Sequence, residues 1–201
     1  MGKEWELKYR VDDLQLLDCI LCDTRVRARM TENFRYIRMN TCYYDLPDGD
    51  LSKRGWTLRV RQENERSVVT CKTPAGDGVT GKLRNEWECE AADLEEGLSG
   101  LAALGAPKEL SALSPEALVM TCGAQFTRIA ALLRLSEDTT AEICGDVGEL
   151  LREGRRAPLC ELELELKEGG RQPLLDFAAE LNETYHLSEQ PLSKFARAKA
   201  L

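Results

Sequence analysis

The sequence predicts an α+β protein, an antiparallel β-sheet of about eight strands closed into a barrel with α-helices outside it. Three observations predict this fold. Segments in which apolar and polar residues alternate recur along the whole chain. Only a few segments show helical spacing, and they are set between the alternating ones. No internal repeat, low-complexity tract or linker interrupts residues 1–201, so one domain is expected.

In chain order, residues 4–10 alternate and read as the first strand. Asp12 is placed to cap the run that follows, where Leu14, Leu17, Ile20 and Leu21 recur at helical spacing. Residues 34–44 are strand-like and close at Asp45-Leu46-Pro47-Asp48-Gly49-Asp50, a turn composition. Residues 57–63 and 67–73 read as a hairpin with Asn64, Glu65 and Arg66 at its turn. Gly76, Gly78 and Gly81 suggest a hairpin loop before the alternating residues 82–90. Residues 92–120 read as helical, with a break around Gly105 to Pro107. Further strands are expected at 126–134, 140–144 and 158–167. Residues 173–186 form an amphipathic helix with Leu174, Phe177, Ala178 and Leu181 on one face and His186 as an exposed cap.

Composition excludes several classes of function. With 27 Lys+Arg against 35 Asp+Glu the formal charge is −8, the wrong sign for nonspecific nucleic-acid binding. At 43% hydrophobic and 31% charged residues, the chain is too apolar to be disordered. It has no apolar run approaching the ~18–20 residues of a membrane span. The first residues are acidic where a signal peptide would be apolar, so a cytoplasmic location is expected. The 8 cysteines are dispersed, Cys19 and Cys22 forming the only close pair with no second pair or His cluster to complete a zinc site, and read as buried or half-buried reduced thiols.

The polar faces of the strands hold the chemistry. Glu4, Glu6 and Lys8 share one face; so do Arg59 and Arg61; so do Lys82, Arg84, Glu86, Glu88 and Glu90; so do Glu161, Glu163, Glu165 and Lys167. Each stripe, taken alone, fits a solvated sheet face. Taken together they also fit the lining of a barrel lumen, with the large apolar partners turned outward against helices. A lumen holding both signs of charge suits a polyanion, gripped by Arg and Lys, together with divalent metal held by carboxylates.

The ordered motifs resemble the CYTH superfamily, the triphosphate tunnel metalloenzymes. Glu4-Trp5-Glu6-Leu7-Lys8 matches its Glu-x-Glu-x-Lys signature. Tyr43-Tyr44-Asp45-Leu46-Pro47 resembles its Tyr-Tyr-Asp-Thr-Pro segment, with Leu46 in place of Thr. Gly55-Trp56-Thr57-Leu58-Arg59-Val60-Arg61, Thr70-Cys71-Lys72, Arg84-Asn85-Glu86-Trp87-Glu88 and Phe126-Thr127-Arg128 follow in order. Residues 142–148, 161–167 and Ser193-Lys194-Phe195-Ala196-Arg197 complete the set, although the tail lacks the expected Gly-aromatic ending.

The resemblance implies an eight-stranded antiparallel tunnel with a charged interior. It also implies a metal-dependent phosphohydrolase acting on a small-molecule triphosphate, with Mg²⁺ or Mn²⁺. Tripolyphosphate hydrolysis is the preferred activity. An adenylate cyclase, a thiamine or nucleoside triphosphatase, and a non-enzymatic polyphosphate or nucleotide sensor are the alternatives. By the same resemblance Glu4, Glu6, Glu161, Glu163, Glu165 and Asp146 are metal-ligand candidates. Lys8, Arg59, Arg61, Lys72, Arg84, Arg128 and Lys194 would grip phosphate, and Glu6, Lys8, Lys72 and Glu88 are the catalytic candidates. Arg134 shares the parity of Arg128 at a position that need not reach the lumen, and Arg197 reads equally well as a helix-end cation.

Overall fold

The computed structural model describes residues 2–75 and 83–201. The Gly76–Gly81 loop and Lys82 lie outside the described residues.

Strand β1 (Gly2–Arg10) is followed by helices α1 (Leu14–Leu21) and α2 (Thr24–Arg29). Next come β2 (Arg35–Asp45), α3 (Asp50–Lys53), β3 (Thr57–Glu63), β4 (Arg66–Pro74) and β5 (Leu83–Glu90). Helices α4 (Leu94–Ala103) and α5 (Lys108–Ser111) and a 3-10 turn (Pro115–Ala117) lead to β6 (Val119–Arg134), β7 (Thr140–Arg152) and β8 (Arg155–Glu168). Helix α6 (Arg171–Tyr185), a short β9 (Ser188–Glu189) and α7 (Lys194–Lys199) end the chain.

The sheet runs β5-β4-β3-β2-β6-β7-β8-β1, and a β5–β1 pairing closes it, with β9 added beside β1. All pairings are antiparallel. The expected eight-stranded barrel with flanking helices is therefore the fold. Strand β1 bridges the closure because its first half pairs with β5 and its second half with β8, Glu4 standing beside Arg84 and Glu6 beside Glu165.

Three apolar clusters explain the barrel's orientation. Outward residues of β1 and β8 (Trp5, Leu7, Tyr9, Leu162, Leu164) pack under α1 and α6, where Leu17, Ile20, Leu174, Phe177 and Leu181 are buried. Burying each such side chain contributes ~1.5–3 kcal/mol, so these contacts decide which face of each strand turns in. On the other flank Leu58, Val69, Cys71 and Trp87 pack under Leu98, Leu101 and Leu110 of α4 and α5. There a Cβ on Gly97 would lie 2.4 Å from a Val69 methyl, so only glycine lets α4 approach β4 this closely. The third cluster is inside the barrel: Met39, Tyr43, Cys122, Ala124, Phe126, Leu150 and Leu159 meet Ala198 and Phe195 of α7.

Several elements differ from expectation. The α1 cap is Asp13, whose side chain accepts the Leu16 N–H at 2.8 Å, while Asp12 pairs with Arg10 instead. The helical stretch expected over residues 92–120 breaks around Gly105, at φ +81°, as expected, but it ends early: α5 closes at Ser111, and Val119 and Met120 already pair with β2. Strand β7 runs on to Arg152, hidden in the sequence by Gly145 and Gly148, which disfavour strands. It turns into β8 through Glu153 and Gly154, both at positive φ, the two-residue turn whose twist suits a hairpin. Helix α2 was not anticipated. All eight cysteines are free, but Cys19 and Cys22 are exposed rather than buried or half-buried. His186 is the exposed α6 cap, at φ 50°. No helix among the described residues is long and apolar enough to cross a membrane.

Candidate active site in the barrel

The inward stripes of β1, β3, β4, β5, β6 and β8 meet around one cavity of about 300 Å³. Its walls include Glu4, Glu6, Lys8, Arg59, Arg61, Lys72, Arg84, Glu88, Arg128, Glu163, Glu165 and Lys194. Twelve of the fourteen candidate site residues thus face the same space. Asp146 and Glu161 do not line it; both are fully buried behind Lys194.

One end of the barrel is closed by α7. Ser193 caps this helix by accepting the Ala196 N–H at 3.1 Å, and Phe195 packs on Tyr43 with ring centroids 5.1 Å apart. Lys199 reaches Ser52 and Asp45, and Arg152 and Arg155 donate to the carbonyls of Lys199 and Leu201. Cations at these last carbonyls also match the helix dipole. The helix carries Lys194 into the end of the cavity. There its ammonium lies 2.7 Å from Asp146, 2.9 Å from Glu163 and also against Glu161.

Asp146, Glu161 and Glu163 each bring a carboxylate oxygen within 4.8 Å of the others, a spacing suited to a metal ion. Lys194 already bonds all three, Arg128 clamps Asp146 with two hydrogen bonds of 2.8 and 2.7 Å and also contacts Glu163, and Arg197 takes Glu161. With Lys8 3.8 Å from Glu163, four cations surround these three carboxylates. Burial opposes the charge on Lys194, yet Asp146, Glu163 and Glu161 outweigh it and push the ammonium pKa up. Burial opposes Glu163 too, but Lys194, Arg128 and Lys8 hold it well below the usual carboxylate range. Glu161 goes the other way, raised by its burial against the pull of Lys194.

The middle of the cavity is different. Among the described residues Arg59 has its nearest carboxylates, Glu86 and Glu88, at 3.7 and 4.0 Å, and its buried Nε has no hydrogen-bond partner. Arg61 is 6% exposed, with Glu63 at 3.8 Å and its Nε donating to Thr41 Oγ1 at 3.0 Å. Burial, then the like charges of Arg59 and Arg128, pull its pKa down to about 10. Arg84 is held by neutral acceptors, donating to the carbonyls of Gly55 and Lys72. Burial lowers its pKa as well.

Opposite these arginines runs a row of carboxylates. Glu142, Glu165 and Glu6 are register neighbours across β7, β8 and β1, and Glu4 lies two residues along from Glu6. Like charges directly opposite one another destabilise a sheet unless a cation joins them. Lys167 bridges Glu142 and Glu165, Lys8 lies 3.0 Å from Glu6, and Lys72 bonds both oxygens of Glu4 at 2.6 and 2.5 Å. Burial pushes Glu165 upward, while Lys72, against the cost of burial, holds Glu4 low.

Sequence reasoning assigned no role to Glu142, Arg35, Tyr43 or Phe195, all of which line the cavity. The parity of residues 140–144 held the signal for Glu142; the rest needed the barrel's closure. Arg134 is exposed and donates to the Glu137 carbonyl, and Glu90 pairs with Arg66 at the surface. Glu88 sits half-exposed and accepts a hydrogen bond from Thr70 at 3.1 Å.

The sequence profile of the CYTH domain matches residues 2–198. The inorganic triphosphatase of Haemophilus influenzae is 30% identical over 129 residues, 64% of this chain and 36% of that protein, so the chain spans about a third of that relative's length. Among solved structures, a candidate adenylyl cyclase from Hippeastrum, described as having dominant triphosphatase activity, aligns over 100% of this chain and 96% of its own at TM-score 0.63 and 17% identity. A candidate adenylate cyclase from Bacillus halodurans aligns over 96% of both chains at TM-score 0.58 and 19% identity.

Proposed function

We propose that this chain, which belongs to the CYTH domain family, hydrolyses triphosphates with the help of a divalent metal ion, and that inorganic tripolyphosphate is its substrate. The observation that carries this reading is the mismatch inside the cavity. Among the described residues Arg59, Arg61 and Arg84 have no carboxylate at hydrogen-bond distance, while Glu4, Glu6, Glu142 and Glu165 crowd β1, β7 and β8. A polyanion satisfies the first group and a hard dication the second.

The donor set fits Mg²⁺ or Mn²⁺, being all oxygen and rich in charge. Glu4, Glu6, Glu163 and Glu165 would hold it; Asp146 and Glu161 are assigned to anchoring Lys194 and Arg197. When bound, the metal neutralises phosphate charge and lowers the pKa of a coordinated water. Arg59, Arg61, Arg84 and Arg128 orient the phosphates and stabilise the charge spread over the phosphoryl oxygens. Lys8 and Lys72 are paired here with Glu6 and Glu4, and with those carboxylates holding a metal they would be available to phosphate oxygens. Glu88, open to solvent and fixed by Thr70, orients the attacking water. Support from relatives is the 30% identity to the Haemophilus influenzae protein, an inorganic triphosphatase.

A second reading has one specific observation in its favour. Ile37, Met39, Ala130 and Phe195 give the cavity an apolar side, a surface for the organic part of a nucleoside or thiamine triphosphate. The test is a panel of tripolyphosphate, ATP and thiamine triphosphate with Mg²⁺ or Mn²⁺, reading phosphate and cyclic AMP. Phosphate release from tripolyphosphate is expected to dominate; cyclic AMP from ATP with tripolyphosphate untouched overturns the preference. In Glu6→Gln, metal-dependent turnover is expected to vanish with the melting temperature unchanged, and near-normal turnover would refute the metal assignment.

A further inference from the structure

Phe126 and Arg128 lie two residues apart on β6, so both project into the barrel. The Phe126 ring sits where the ionic cavity meets the apolar end closed by α7, among Met39, Tyr43, Leu150 and Leu159. Three cations stand around it. Lys194 Nζ is 5.2 Å from the ring centroid, the Arg61 guanidinium 5.8 Å and the Arg128 guanidinium 6.0 Å.

Carboxylates account for the placement of two of these. Lys194 is caged by Asp146, Glu161 and Glu163, and Arg128 is clamped by Asp146 and Glu163. They do not account for Arg61, which is buried beside like charges with one hydroxyl acceptor and an acid no nearer than 3.8 Å. A closer carboxylate would hold Arg61 in place but would also consume the charge that an anion must meet. An aromatic face avoids that conflict. It offers negative potential to a cation while carrying no net charge of its own.

We propose that Phe126 is a positioning residue for anion binding, its ring holding Arg61 beside Arg128 and Lys194 without neutralising the Arg61 charge. This deepens the reading above and rests on it for one point, that the anion received is a triphosphate. Phe126 acts through Arg61 and not on the substrate itself. Simple packing would require only its volume.

The test separates volume from ring charge. In the full chain, Phe126 is replaced by 4-fluoro-, 3,5-difluoro- and 3,4,5-trifluorophenylalanine, which keep the ring's shape and progressively drain its negative face. Tripolyphosphate binding without divalent metal, measured by titration calorimetry, is expected to weaken stepwise by about tenfold across the series. The melting temperature stays constant. In parallel, the Nε–Hε resonances of Arg61 and Arg128 in NMR spectra of the ligand-free protein are expected to shift along the same series. Equal affinity at every fluorination level overturns the proposal. If the unsubstituted protein binds no tripolyphosphate, the substrate reading falls, and the arginine resonances alone decide: movement supports the positioning role and unmoved signals refute it.

Discussion

At the α7 end of the barrel, Lys194 is ringed by Asp146, Glu161 and Glu163, all but fully buried. In the middle of the same cavity, Arg61 is as secluded as Lys194 and Arg59 nearly so, yet among the described residues their nearest carboxylates stand 3.7 Å from Arg59 and 3.8 Å from Arg61. The two regions use the same kinds of charge, one set from β7, β8 and α7 and the other from β3 and β5. What separates them is pairing. A charge whose opposite is already at hydrogen-bond distance has its electrostatic energy committed to the fold, whereas a buried charge held without one keeps it for a ligand. Under the proposed function, this difference assigns Asp146 and Glu161 at the closed end to holding α7, leaves Glu163 shared between that cage and the metal-ligand set, and assigns the loosely paired arginines to binding.

The largest expected effect comes from breaking the committed region. Lys194→Met removes the shared counter-ion of three buried carboxylates and leaves them under-compensated by Arg128, Arg197 and the more distant Lys8, at a cost of ~3–5 kcal/mol. For a chain of 201 residues that is a fall of about 10 °C or more in melting temperature, checked by calorimetry. A melting temperature close to that of the parent would show that the cage is not holding α7.

Arg59→Ala tests the other region and should reverse the pattern. Removing one pre-organised cation aimed at the transition state costs ~2.7–4 kcal/mol in kcat/KM, about a hundred- to a thousandfold for tripolyphosphate. Stability is expected to hold or rise, since Arg59 is buried with an unpartnered Nε and long ion pairs. Loss of stability without loss of activity would invert the comparison.

A smaller effect is expected from acid. Burial weighs against the charges of Glu163 and Asp146, yet their cations keep both below the ordinary carboxylate range, so the unfolded chain takes up their protons first. Their contribution is complete above that range and is lost as pH falls through the folded values. Burial raises Glu161 and Glu165, so for them the folded chain protonates first and stability grows on mild acidification. Melting temperature should therefore rise slightly from pH 7 toward about pH 5 and fall below about pH 4, each proton contributing at most ~1.4 kcal/mol per pH unit. A steady decline from neutrality would mean that Glu161 is held as firmly as Glu163.

The balance between what was and was not legible follows the range of the forces involved. Period-two alternation is a property of neighbouring residues, so the stripes on β1, β3, β5 and β8 could be read directly, and the apolar partners Trp5, Leu58, Trp87 and Leu164 announced the outer layer. Pairing across the lumen is not local. Nothing near Lys194 in sequence indicates that its ammonium meets Glu161 and Glu163, more than thirty residues earlier. Nothing near Asp146 indicates that it lies behind the cavity wall. Glycine masked β7, and α7 is held by contacts from β6, β7, β8 and α3 more than by any pattern of its own.

The smallest effect is expected outside the barrel, on α4. Asp93 accepts the Glu96 N–H at 2.9 Å, and the Glu96 side chain accepts the Ala92 N–H at 2.7 Å, a reciprocal cap on the first turn. Asp93→Ala forfeits one of these bonds and is expected to cost ~1 kcal/mol, or about 2–4 °C in melting temperature. Helix α4 packs on the outer faces of β4 and β5 and places no side chain in the cavity. Turnover of tripolyphosphate below the transition should therefore match the parent. The variant serves as the reference for the other two, since it loosens an outer contact without touching either class of inner charge. If its kcat/KM fell as far as that of the Arg59 variant, outer packing rather than the pairing state of the arginines would be setting the geometry of the cavity.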